Sequence, residues 1–486
     1  MTTNTPAQWN RKLFLGSWVP GRGELVSVTE PATGNQLGML ATGTKDDIDD
    51  AARIAKRAQV GWAAMPFDQR AAIMRRVARS LEDNATTINQ WNIRECGSTA
   101  PKAEWELQAC IEQAHMAAAL PMQATGDIFP SAMPGRRNYW KRIPIGVVGV
   151  ISPWNFPILL SLRSVLPALA MGNSVILKPD IQSAVCGGLL LAELFAAAGI
   201  PEGVFQVLPG AAETGDALVR HPDVKMISFT GSTPVGRQIG EICGRNLKKV
   251  SLELGGNNAI VVLDDADLES AASCAAWGSF LHQGQICMQT GRHLVQRSVA
   301  ERYAELLAGR AAKLVVGNPA SEQVHIGPLI NDRQAKNVED IVNRSIELGA
   351  RLLTGGKADS RFYPATVLTD VTPDMPAWRE EIFGPVAPIT VFDTEEEAVA
   401  LVNSSEYGLA AAVHSRSESR GLKVATQLCS GMLHINDQTV NNEFQVPFGG
   451  MGASGNGSRF GGPANIDEFT QTQWISVMGP GMQYPF

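Results

Sequence analysis

The chain has 486 residues, 44% hydrophobic and 18% charged, with a net charge of -7 and a pI near 5.6. That length exceeds what one hydrophobic core can hold, so two or three domains are expected. The acidic balance, without a long Lys/Arg run, argues against a nucleic-acid or anionic-membrane surface.

The seven cysteines (Cys96, Cys110, Cys186, Cys243, Cys274, Cys287 and Cys429) are odd in number and never spaced as CxxC. This argues against a disulfide framework or a metal site and fits a reducing, cytoplasmic setting. Met1 to Gln8 has no basic start and no apolar run, so no signal peptide is expected. The longest apolar region, Ile158 to Leu177, is broken by Arg163, Pro167, Gly172 and Asn173, so no membrane span is expected.

Residues 1 to about 45 read as short strands joined by turns, in Leu13–Val19 and Val28–Gly34. From Lys45 to about Ile111 the pattern is helical, opening on an acidic first turn at Asp46–Asp50. This stretch reads as a helical layer with solvated charges and no chemistry. Residues 123–144 are turn-rich, then polar and strand-like, as in a hairpin arm used for association.

From Ile143 the texture changes. Short β-branched runs at Gly146–Ile151, Ser174–Lys178, Val204–Leu208, Met226–Phe229, Lys249–Leu254 and Ala259–Leu263 alternate with intervals long enough for helices, Leu189–Gly199 being the clearest. Such alternation predicts an α/β fold with a parallel sheet covered on both faces. Ligands bind such sheets beyond the carboxyl ends of the strands. Asp265 to Asn456 repeats the alternation as a second unit, and Phe469–Met478 reads as one exposed strand.

Chemistry concentrates in a few loops. Cys287 lies just past Gly284, where a turn could expose the thiol and a helix could begin; backbone N–H groups and a helix dipole both favour a thiolate. A single cysteine is more often a small buried hydrophobe. Phe229–Gly236 follows a strand and opens a helix, with Pro234 early in it. Gly231 lets the backbone approach a phosphate held by free N–H groups. The usual GxGxxG fingerprint is absent. Lys178 ends a strand before Pro179 and could reach ribose or phosphate, although a solvated lysine is the commoner case. Glu253 sits in an apolar strand end before two glycines, where burial would raise its pKa as a general base requires; a capped or paired glutamate is equally compatible. Asn155 is bracketed by Pro153 and Pro157, which fixes a side-chain amide as an oxyanion donor needs; turns use asparagine too. Glu380–Pro385 and Pro447–Gly450 alone say only loop.

Together, and in this order, the PWNFP loop, the Lys-Pro turn, FTGS, LELGG, GQxC, EEIFGPV and PFGG resemble the aldehyde dehydrogenase superfamily. Within it the chain is similar to the bacterial benzaldehyde and vanillin dehydrogenases. The resemblance implies a Rossmann-type NAD(P)-binding domain (1–122 and 145–254), an α/β catalytic domain (255–456) and a small β oligomerisation arm and tail (123–144 and 465–486). It implies a homodimer or homotetramer acting on a small aldehyde.

It further implies that Cys287 attacks the aldehyde, that Asn155 holds the oxyanion with the Cys287 N–H, and that Glu253 activates water to release the acid. Lys178 would hold the adenosine ribose, Trp154 and Ser232 would lie near the pyrophosphate, Glu381 would bind the nicotinamide ribose and Phe383 would meet the ring. Ile151, Asp180, Gly231, Gly236 and Leu254 complete the expected cofactor set. Many NAD-preferring members carry a glutamate three residues after the lysine; here that position is Ile181, and Asp180 precedes it. NAD is expected, with NADP as the alternative. Phe156, Leu160, Arg163, Ile286, Met288, Asn442 and Phe448 map near the substrate, where an apolar slot suits an aromatic aldehyde and Arg163 or Asn442 would face a ring hydroxyl or solvent. The competing readings are an aliphatic or semialdehyde dehydrogenase, a CoA-acylating enzyme, and a non-catalytic binding protein on the same fold.

Overall fold

A computed structural model describes residues 8–486. The start of the chain, read above for a signal peptide, lies outside the described residues except for Gln8.

Five β-branched runs form the parallel part of one sheet. Its strands lie in the order Lys249–Glu253, Val224–Thr230, Val147–Ser152, Ser174–Pro179 and Phe205–Val207, and two antiparallel N-terminal strands, Lys12–Phe14 and Trp18–Pro20, extend its far edge. Val147–Ser152 and Ser174–Pro179 are buried at every position, as strands covered on both faces must be. The chain runs outward from Val147–Ser152 through two strands, then crosses back to Val224–Thr230 on the other side. The sheet therefore has a topological switch point between Ser152 and Thr230, where a crevice opens at the carboxyl ends.

After Glu253 only Leu254–Asn257 separate the first sheet from Asn258–Val262, the first strand of a second one. That sheet runs Arg351–Thr354, Thr366–Thr369, Val386–Phe392, Thr290–Gln296, Asn258–Val262, Ala410–His414 and Met432–Ile435, parallel except for its first pair. Cys287 sits just before Thr290–Gln296. The loops at the facing ends of the two sheets are thus brought together by a four-residue crossing.

A third, antiparallel sheet stands apart. Thr470–Val477 pairs with Arg137–Pro144 over eight residues, and Gly126–Phe129 pairs on the other side. Ile128, Phe129 and Trp474 on these strands are exposed.

The helices Lys45–Ala64, Phe67–Asp83, Ala85–Cys96 and Ala100–Ala119 form the expected layer. The expectation that its charges are solvated fails on the inner face, where Glu95, Lys102 and Glu106 are buried. Glu95 accepts the N–H groups of Val185 and Cys186, and Glu106 those of Ile158 and Leu159, at the starts of helical segments that lack capping side chains. Periodicity marks the inward face of a helix. It does not show that an inward carboxylate will meet the unpaired donors of a neighbouring helix.

Candidate active site

The loop before Cys287 is a tight turn in which His282 (φ 49°), Gln283 (φ 57°) and Gly284 (φ 67°) all take left-handed conformations. A Cβ on Gly284 would run into the Gly384 carbonyl oxygen, so both backbone angle and space require glycine there. Gln283 anchors the turn from below by donating to the carbonyls of Gly97 and Pro328, each at 2.9 Å. No helix begins at Cys287, contrary to expectation. Met288 and Gln289 turn directly into Thr290–Gln296, so the thiol has no helix dipole of its own. The physical reason is the parallel strand demanded by Asn258–Val262 and Val386–Phe392 on either side.

Cys287 is half-buried. Burial pushes its thiol up to about 12; Arg163 opposes the shift, Glu253 and Glu381 add to it, and the Met288 N–H opposes it. Glu253 ends its strand almost fully buried, and neither carboxylate oxygen has a hydrogen-bond partner among the described residues. Burial raises its pKa to about 8, against the attraction of Arg163 and Arg459. The structure thus places Cys287, Glu253, Glu381 and Arg163 in one electrostatic neighbourhood. Asn155 is buried and its side-chain amide donates to the Gln285 carbonyl at 2.9 Å, two residues before the cysteine.

The crevice at the switch point is a cleft of about 1720 Å³. Of the expected cofactor residues, Ile151, Trp154, Lys178, Asp180, Gly231 and Ser232 line it. Lys178 is not the solvated strand end that is commonest: it is buried, burial lowers its pKa against Asp180, and its ammonium makes no hydrogen bond to the described residues. The helix Thr233–Arg245 opens into the cleft, and the Ser232 side chain does not cap it, so its first N–H groups are free for an anion. A lysine whose stem is buried and whose ammonium lies on the cleft wall without a partner among the described residues, beside an uncapped helix start, fits a dinucleotide phosphate and ribose. Ile181, the position where many NAD-preferring members carry glutamate, also lies on the wall, with Gln182, Val235 and Gln238, which no sequence signal singled out.

Four expected residues lie off that wall. Gly236 and Leu254 meet each other where the helix crosses the strand end, since a Cβ on Gly236 would strike the Leu254 side chain. Gly231 is likewise held by packing, because a Cβ would meet the Phe229 ring. Glu381 accepts the Gly256 N–H at 2.9 Å, and burial raises its pKa to about 7. Phe383 meets Trp154 edge to face, 5.6 Å between ring centres. One carboxylate oxygen of Asp180 is taken up by the Gln182 N–H at 2.9 Å.

A second cavity, of about 440 Å³, lies on the other side of Arg163. Arg163, Asn442 and Phe448 line it as expected. Phe156, Leu160, Ile286 and Met288 do not, being packed in the core beneath. Gln113, Met116, Leu166, Phe444 and Phe460 complete the wall and were not expected. Of the two positions left open for Arg163, solvent is excluded: the side chain is buried, with its guanidinium 4.9 Å from the Phe448 ring centre and 4.7 Å from that of Phe460, and one nitrogen 3.0 Å from the Thr230 hydroxyl.

A crevice at the switch point of a parallel sheet, with a lysine and an uncapped helix start on its wall, together with a thiol in the field of a buried carboxylate, fits the class of dinucleotide-dependent oxidoreductases. Residues 18–475 match the model of the aldehyde dehydrogenase family, and the chain belongs to that family. It is 57% identical to the benzaldehyde dehydrogenase [NAD(+)] of Pseudomonas putida, over 98% of each chain. It is 49% identical to a vanillin dehydrogenase of Amycolatopsis, over 99% of each. A solved salicylaldehyde dehydrogenase of Pseudomonas putida G7, in complex with salicylaldehyde, superposes with a TM-score of 0.95 at 33% identity, covering 98% of this chain and 99% of that one. The protein is an aldehyde dehydrogenase, and its family uses NAD(P). No described helix is long and apolar enough to cross a membrane.

The turn generates a direct expectation. Gly284→Ala should lower stability by roughly 1–3 kcal/mol, from left-handed strain plus the clash with Gly384, and should slow thiol alkylation or turnover by displacing Cys287. Chemical denaturation alongside initial-rate assays would check both; a variant as stable and active as the parent would refute the geometric reading of the loop.

Proposed function

We propose that the chain oxidises aromatic aldehydes to carboxylic acids, with Cys287 as nucleophile, Asn155 as oxyanion donor and Glu253 as the base for hydrolysis. The observation that carries this reading is the buried Glu253 carboxylate, without a hydrogen-bond partner among the described residues and in the same field as Cys287 and Arg163. A carboxylate is left without partners inside a protein at considerable cost, and a substrate water is the partner such a site is shaped for.

In the first half-reaction the Cys287 sulfur bonds to the carbonyl carbon. The Arg163 charge favours the thiolate, which the enclosed site otherwise disfavours. The second N–H of the Asn155 amide and the Cys287 backbone N–H receive the oxygen as it becomes an anion. Bound oxidised cofactor supplies the hydride acceptor. The acyl group is then a thioester on Cys287. In the second half-reaction Glu253 takes a proton from water, the hydroxyl adds to the thioester carbon, and the C–S bond breaks to return the thiolate and the acid.

Lys178, Ser232 and the N-terminus of Thr233–Arg245 would hold the cofactor's ribose and phosphate oxygens, with Glu381 and Phe383 at the nicotinamide end. NAD is the proposed preference. The remaining Asp180 oxygen, close to Lys178 at the cleft wall, disfavours a 2′-phosphate. The 57% identity to an NAD-named relative supports this. The aromatic preference is supported by the names of the relatives and by a cavity walled by Phe444, Phe448 and Phe460. The outward Ile128, Phe129 and Trp474 of the third sheet, with up to 83% of their surface exposed, are proposed to pair copies of the chain into a dimer or tetramer. The cofactor-binding and catalytic domains divide at the Leu254–Asn257 crossing, with 123–144 and 465–486 as the associating arm and tail.

Glu253 is the acid form below pH 8 and the base above it, so thioester hydrolysis should rise with pH through about 8 and level off. Glu253→Gln should remove that rise, slow hydrolysis by about 10²–10⁴-fold, and leave a burst of one reduced cofactor per active site. Stopped-flow absorbance with acid-quench trapping of the acyl-enzyme would read this; Cys287→Ala should give no burst at all. A parental pH profile in Glu253→Gln would remove Glu253 from the reaction.

Across a panel of aldehydes with both cofactors, kcat/KM for benzaldehyde-type substrates with NAD should exceed that for short aliphatic aldehydes at least about tenfold, the worth of ~1–3 kcal/mol of pocket contacts. Parity would overturn the substrate assignment. Trp474→Glu should shift the sedimentation coefficient toward a smaller particle, and an unchanged value would remove this sheet from the interface.

A further inference from the structure

The buried charges behind the Pro153–Pro157 loop take no direct part in the proposed reaction. Lys102 and Glu106, on Ala100–Ala119, are 1% and 0% exposed at the side chain and 2.6 Å apart. All the hydrogen-bonding capacity of the ammonium is directed inward: to Glu106, to the Asn155 carbonyl oxygen at 3.0 Å, and to the Asn92 side-chain oxygen at 3.4 Å. The same ammonium lies 4.3 Å from the centre of the Phe156 ring.

Glu106 is as fully engaged. One oxygen accepts the Ile158 and Leu159 N–H groups at 2.9 and 3.0 Å, capping the helix Pro157–Ala170. The other accepts from Lys102 and from the Asn92 amide at 2.8 Å. Ser98 closes the network on Asn92 at 2.7 Å.

Buried ion pairs contribute little net stability compared with apolar packing, so stability alone is a weak account of this one. Its geometry has a direction. Asn155 is gripped by its backbone oxygen from Lys102 and by its side-chain amide through Gln285, on the cysteine loop. Glu106 fixes the two peptide groups that follow Pro157. The Asn155 backbone therefore cannot shift without breaking the charged hydrogen bond from Lys102.

We propose that Lys102 and Glu106 are positioning residues that hold the Asn155 amide in register with Cys287, so that the developing oxyanion meets a donor already in place. This rests on the reading of Asn155 as the oxyanion donor. It assigns the helical layer, through one buried lysine, a share in the rate of the first half-reaction. Displacements of about 1 Å in such donors can cost up to a hundredfold.

The test is a double-mutant cycle on the single-turnover rate of cofactor reduction. The arms are Lys102→Met, Asn155→Ala and both together, with cofactor affinity and melting temperature measured on each. Lys102→Met should slow the single turnover about 10- to 100-fold while cofactor affinity stays within about twofold. In the Asn155→Ala background the same change should slow it less than about threefold, because the group it positions is gone. Lys102→Arg, which keeps the charge and the donors, should recover part of the loss.

If Lys102→Met folds poorly, Lys102→Met with Glu106→Gln removes both buried charges and keeps the acceptor for Ile158 and Leu159. That pair should show the same rate loss and the same dependence on Asn155. Equal losses with and without Asn155 would overturn the proposal and mark the pair as structural. A parental rate in Asn155→Ala itself would instead sink the oxyanion reading on which the proposal stands, which separates the two failures.

Discussion

The hydrogen bond from the Asn155 amide to the Gln285 carbonyl is the joint on which the site depends. It ties a loop leaving the first sheet to the turn entering a strand of the second. Each loop alone is an ordinary connection. Joined, they tie the proposed oxyanion donor to the loop that carries Cys287, and the short crossing from Glu253 to Asn258 brings the carboxylate into the field of that thiol. Three consecutive residues, His282, Gln283 and Gly284, carry left-handed backbone just ahead of that cysteine, so the loop has little freedom to place the thiol elsewhere.

Electrostatics sharpen the same picture. A half-buried thiol and an enclosed carboxylate both resist ionisation, and burial is the largest cause for each. Arg163 is the cation common to both, and it is held by Phe448, Phe460 and the Thr230 hydroxyl, with no carboxylate in an ion pair with it among the described residues. An arginine so held keeps its charge available to groups that change theirs during a reaction. The same side chain lines the second cavity, so an aldehyde held there, as proposed, would share one charged neighbour with the titrating groups.

Much of the candidate site was legible because it is built from short runs near strand ends. Glycines at 231, 236 and 284, the bracketing prolines around Asn155 and the apolar setting of Glu253 are local features. What escaped is what packing across the chain creates. Leu160, Ile286 and Met288 are apolar and near the right segments, yet they fill core, while Gln113 and Phe460 reach the cavity from distant helix and loop positions. The helix expected at Cys287 gives way to a turn leading into a strand, because local turn signals do not reveal that neighbouring strands require a parallel partner. Lys102 and Glu106 read as solvated charges because their i,i+4 spacing is also that of a surface pair.

By itself the sequence determined the α/β alternation, the membership of the family and the chemical types gathered at the strand ends. Those follow from periodicity and from residues whose roles are set within a few positions of the chain. Only the tertiary structure decided which side chains are dry, which donors are already spent, and which cation serves both Cys287 and Glu253. Burial and long-range hydrogen bonding depend on segments far apart in sequence meeting in space, and no local pattern encodes that meeting.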